Sequence, residues 1–91
     1  MLVKILDYGE ENNKKFIEYG VFGLTSAQME FLGENLEEQT SIEEDAFKLK
    51  MFFSEELYPF QSDVAQYRLD DFIAREEIEM AIFISSFLDD M

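Results

Sequence analysis

Thr40-Ser41-Ile42-Glu43-Glu44-Asp45-Ala46-Phe47-Lys48-Leu49-Lys50-Met51-Phe52-Phe53, continuing to Leu57, is the stretch on whose reading the fold turns. Thr40 and Ser41 each stand three residues before a glutamate, Glu43 and Glu44, the spacing in which a hydroxyl and a carboxylate satisfy backbone donors at a helix start. Ile42, Ala46, Leu49, Phe53 and Leu57 then fall at intervals of 4, 3, 4 and 4, an apolar stripe of helical period. The spacing predicts a helix from about Ile42 to Leu57, ended by Pro59, which disfavours a helical Tyr58. Phe47, Met51 and Phe52 widen the stripe beyond what one core face requires.

Toward the C-terminus, Ser62-Asp63 opens a last helical region reaching about Asp90, with Val64, Tyr67, Phe72, Ile73, Ile78, Ala81, Ile82 and Phe87 available for burial and Asp70-Asp71 marking a break. Toward the N-terminus, Thr25-Ser26-Ala27-Gln28 has the spacing of a capping box, so a helix is expected from near Ser26 to near Gln39, weakened by Gly33 by about 1 kcal/mol relative to alanine. Residues 2–6 and Lys14 to Phe22 are β-prone and flank the turn-forming Asp7 to Asn13, which reads as a β-hairpin. A short helix from Asn13 to Tyr19 is the rival, disfavoured by Gly20, Gly23 and the β-branched and aromatic content. The expectation is a single α+β domain over residues 1–91, an N-terminal β-hairpin followed by three or four helices.

Composition narrows the function. The chain of 91 residues has a net charge of −14, with 10 Phe and 4 Tyr but no His and no Cys. Its apolar content supports folding despite the charge, and that charge repels free nucleic acid. Without His or Cys there are no Ser-His or Cys-His nucleophile pairs, no ordinary zinc site and no disulfide. No stretch has the register of a calcium loop, and Gly9, Gly20, Gly23 and Gly33 match neither phosphate-loop nor dinucleotide spacing. The expectation is a non-enzymatic protein with neither cofactor nor metal. The longest apolar run, Met80 to Leu88, is too short for the roughly 20 residues of a membrane-spanning helix. No signal peptide is legible at the N-terminus, which makes the cytoplasm the expected compartment.

The charge is uneven. Residues 27–47 hold seven acidic residues and no basic one: Glu30, Glu34, Glu37, Glu38, Glu43, Glu44 and Asp45. Glu43 to Asp45 suit a helix N-terminus. Glu30, Glu34 and Glu37 at helical spacing repel one another instead, and two readings stand, a solvated face or a partner-binding one. In the second, carboxylates four residues apart, about 6 Å along a helix, stand in for phosphates. The acidic set Asp70, Asp71, Glu76, Glu77 and Glu79 is partly offset by Arg68 and Arg75, as on ordinary helix surfaces. The apolar run Met80-Ala81-Ile82-Phe83-Ile84 surrounds a helix on every side, so it runs through the core or one side meets another chain.

In length, acidity and lack of conventional catalytic residues the chain resembles the small inhibitors that phages and mobile elements encode against host nucleases, anti-restriction and anti-CRISPR proteins, some of which mimic DNA. The resemblance is one of overall character and carries over no site residue. It implies a partner that is a basic nucleic-acid-handling protein, a nuclease or its targeting complex, blocked in the host cytoplasm; the charge pattern, not the resemblance, makes Glu30, Glu34, Glu37, Glu38, Glu43, Glu44 and Asp45 the candidate contacts. The competing expectation is an interaction or dimerisation module using Phe52, Phe83, Ile84 and Phe87, with acidity serving solubility, and a homodimer as one outcome. Salt separates them, since charge-driven association weakens steeply with ionic strength.

Overall fold

The computed structural model describes residues 1–44, 46–54 and 66–91. The first hairpin forms as expected. Strands β1 (Leu2–Glu11) and β2 (Lys14–Phe22) are joined by Asn12 and Asn13, at φ 52° and 66°. Both sit in the left-handed region that a two-residue hairpin turn requires and that asparagine tolerates. β1 carries a bulge between Ile5 and Asp7, which leaves Leu6 without a cross-strand partner. Leu6 lies over Gly20, where a Cβ would come within 2.9 Å of Leu6 Cδ1, so glycine makes room for the bulged side chain.

Helix α1 (Ser26–Asn35) starts where its sequence places it. Gln28 donates its backbone N–H to Thr25 Oγ1 at 3.1 Å, and Thr25 donates its own to Gln28 Oε1 at 2.9 Å, a reciprocal capping box. The helix ends at Asn35, four residues before the expected Gln39. Leu36 leaves helical geometry at φ −87° and ψ 136° while its side chain is buried, so core packing turns the chain away from the helix axis.

The stretch that the helical period assigned to a third element is a second hairpin. β3 (Gln39–Glu43) and β4 (Ala46–Phe53) pair antiparallel, with Glu43 opposite Ala46. The helix expected over Ile42 to Leu57 is therefore wrong, and so are the double caps at Thr40 and Ser41; Leu57, Pro59 and the helix opening at Ser62-Asp63 lie outside the described residues. The reason is visible in β2. Ile17, Tyr19 and Val21 are 0–2% exposed, which is unattainable on the edge of a two-stranded ribbon that is at best marginally stable alone. β4 gives β2 its second neighbour, setting Met51, Leu49 and Phe47 opposite Ile17, Tyr19 and Val21. The sheet order is β1-β2-β4-β3.

Helix α2 (Gln66–Leu88) runs through Asp70-Asp71 without the expected break. Among the described residues there are two helices, not three or four, and the α+β class stands. Both pack on one sheet face: Met29, Leu32 and Leu36 of the α1 region and Met80 and Ile84 of α2 meet Val3, Ile17, Tyr19, Val21, Phe47 and Leu49. Ile5 on the edge strand β1 donates its backbone N–H to Glu77 Oε2 of α2 at 2.9 Å. A donor that would otherwise invite another strand is thereby occupied. No described helix is long and apolar enough to cross a membrane.

Candidate functional site

The fold divides the seven acidic residues singled out by the sequence. Glu30 and Glu34 are exposed one turn apart on α1, Glu37 and Glu38 follow beyond its end, and Glu43 belongs to β3. The single helical row through Glu37 and Glu38 does not exist, because α1 stops at Asn35. Glu43 is not free charge: its Oε2 lies 2.7 Å from Lys48 Nζ. Glu44 begins the β3–β4 turn at φ 51°, and Asp45 lies outside the described residues.

A different charge division takes the place of the row. The four strands carry all five lysines, Lys4, Lys14, Lys15, Lys48 and Lys50, and five carboxylates, Asp7, Glu10, Glu11, Glu18 and Glu43. The strands are neutral in sum, so the whole net charge of −14 resides outside them. Lys50 Nζ lies 2.9 Å from Glu11 Oε2 and Lys15 Nζ 3.4 Å from Glu10 Oε2. Lys50 also stands over the Phe16 ring, 4.8 Å from its centroid. Hydrogen bonds to Glu43 and Glu11 hold the Lys48 and Lys50 ammonium groups above the usual lysine range. In α2, by contrast, the sequence sets five carboxylates, Asp70, Asp71, Glu76, Glu77 and Glu79, against two arginines, and the described one, Arg75, reaches back over the Phe72 ring at 5.8 Å.

Under α2 the electrostatics follow from burial. Desolvation pushes the Tyr19 hydroxyl well above the usual tyrosine range, with Glu76 and then Glu79 adding to it. Glu76 is itself raised, first by desolvation and then by its neighbour Glu79. Among the described residues no group of three or more carboxylates is placed to hold a metal ion.

The four apolar residues named for an interface are not brought onto one exposed surface. Ile84 is fully buried in the core. Phe83 and Phe87 are half-buried, edge to face with centroids 5.1 Å apart, and pack against that core. Phe52, 39% exposed, pairs with Phe16 on the sheet face away from the helices. The exposed apolar residues of α2 are instead Ile78 and Ile82, at 62% and 63%. Their signal was in the sequence: they sit at i, i+4 and out of phase with Met80, Ile84 and Phe87, so one helix cannot bury both sets.

Among the described residues these features define a small acidic α+β domain: a four-stranded antiparallel sheet of balanced charge, two helices on one face, and excess acidity outside the strands. The chain belongs to DUF5750, a family of unknown function, whose family model matches residues 2–90. A comparison with curated proteins finds no match.

Proposed function

We propose that the protein is a non-enzymatic binding protein whose partner is a basic, nucleic-acid-handling protein, and that it occupies that partner's nucleic-acid surface. The observation that carries this reading is the segregation of charge. Every lysine lies on a described strand, among as many carboxylates, while the excess acid belongs to residues outside those strands. A uniformly solubilising surface needs no such division, whereas a negative field concentrated away from the lysine-bearing strands steers encounter with a positive surface and raises its rate. Glu30 and Glu34, mutually repelling and exposed, are the α1 contribution. The lack of His and Cys fits recognition better than chemistry.

Affinity capture from a bacterial lysate, with and without excess duplex DNA and over a range of salt, tests it. The expected result is retention of basic proteins that are displaced by DNA and by rising ionic strength. Retention indifferent to both overturns it.

A further inference from the structure

The acidic helix α2 is not uniformly polar on its exposed surface. Ile78 and Ile82 stand 62% and 63% exposed one turn apart on α2. Small residues flank them: Ala74 and Ala81 line a shallow groove shared with Met1, Leu2, Lys4 and Glu77, and Ala81 and Ser85 line a second beside Ile82 that Asp89 also borders. Leu2, 54% exposed, and Met1, 51% exposed, extend the apolar surface onto the start of β1. Isoleucines as ridges and small residues as grooves, repeating along a helix axis, form the surface into which another helix packs.

Charge selects the occupant. Asp71 and Asp89 stand on the same stripe, before and after the isoleucines, with Glu77 and Glu79 beside them. Lys4 is the cation that lines the groove; Arg75 is drawn over Phe72. A second copy fits badly: an antiparallel seam centred between Ile78 and Ile82 sets Asp71 against Asp89 of the other chain at both ends, a parallel one sets each against itself, and each chain brings a net −14. We infer that the Ile78/Ile82 face of α2 is the docking seam for a cationic amphipathic helix, a segment of the partner protein with apolar residues at i, i+4 flanked by lysine or arginine. This rests on the reading that the partner is basic and adds where it is held and by what shape.

The probe is a labelled helical Lys/Leu peptide with leucines along one face, compared with a peptide of equal charge whose leucines are serine. Fluorescence anisotropy is measured on the parent, on Ile78→Ser/Ile82→Ser and on Glu30→Gln/Glu34→Gln. Because both isoleucines are exposed, the serine variant keeps its fold, checked by an unchanged urea midpoint. The seam requires the parent to prefer the Lys/Leu peptide and the serine variant to lose about tenfold or more of that affinity, with hydrogen-exchange protection over residues 74–89. Equal binding of both peptides by parent and serine variant overturns the seam and leaves the basic-partner reading standing. Binding of neither peptide overturns both. A parent that sediments as a dimer and a serine variant that sediments as a monomer assigns the face to a second copy and overturns the proposal.

Discussion

Glu44 sits at φ 51° at the start of the β3–β4 turn, a conformation that costs an ordinary L-residue about 1–2 kcal/mol and asparagine less. Glu44→Asn should therefore stabilise the fold by about 1 kcal/mol, read as a higher urea midpoint with an unchanged m-value. A lower midpoint would mean that the glutamate is held there by something other than turn geometry. Glu76 offers a second check. Its carboxyl is raised above its ordinary value of 4.5 by burial and Glu79, so the folded state binds that proton more tightly than the unfolded chain. The associated stability is present below the unfolded value and is lost as pH rises through the folded one. Glu76→Gln, which mimics the protonated form, should raise the melting temperature at pH 7, and the gain should vanish below about pH 4. A gain that persists unchanged in acid would place its origin elsewhere.

At the level of elements, β4 alternates between two environments. Phe47 is fully buried against the helices, and Phe52 is 39% exposed on the other sheet face. Phe47→Ala should cost about 3–5 kcal/mol and Phe52→Ala less than about 2 kcal/mol, compared by chemical denaturation. The opposite order would refute the register of β4 with β2. Phe53, which the helical stripe put in the core, is only partly buried at the end of β4, so its truncation ranks below that of Phe47. The signals that misled over 40–57 were local ones. Glu43 and Glu44 imitate a helix start while serving as a strand end and a turn. Thr40 and Ile42 before the turn, and Phe47, Leu49 and Met51 after it, keep period two within each strand as well as Ile42, Ala46, Leu49 and Phe53 fit the helical one, because a short apolar-rich segment satisfies both.

For the whole molecule, repulsion within the net charge of −14 is expected to outweigh the ion pairs seen among described residues, Lys15–Glu10, Lys48–Glu43 and Lys50–Glu11. Those pairs are at least partly exposed, and such pairs contribute about 0–1 kcal/mol each. Raising sodium chloride from about 0.05 M to about 0.5 M shortens the screening length from above 10 Å to under 5 Å, so the melting temperature should rise. A fall would show that the pairs, not the repulsion, dominate. Salt thus moves stability up and partner binding down, the two measurements diverging for one physical cause.

What the sequence by itself determined is whatever closes within a few residues or follows from composition. The Thr25/Gln28 cap, the first hairpin, the α+β class and the excess of acid are of this kind, because each is set by neighbouring atoms or by counting. The tertiary structure alone decided that residues 39–53 are strands, since β2 needs a second neighbour and that need lies some thirty residues from where it is met. It alone decided which apolar side of α2 stays bare, Ile78 and Ile82 rather than Ile84, because the sheet can cover only one side of a helix. It alone balanced the strands, setting every lysine among as many carboxylates there and leaving the excess acid outside them; chain order already isolates an acidic block over residues 27–47, but only strand pairing brings Lys50 to Glu11 across 39 positions.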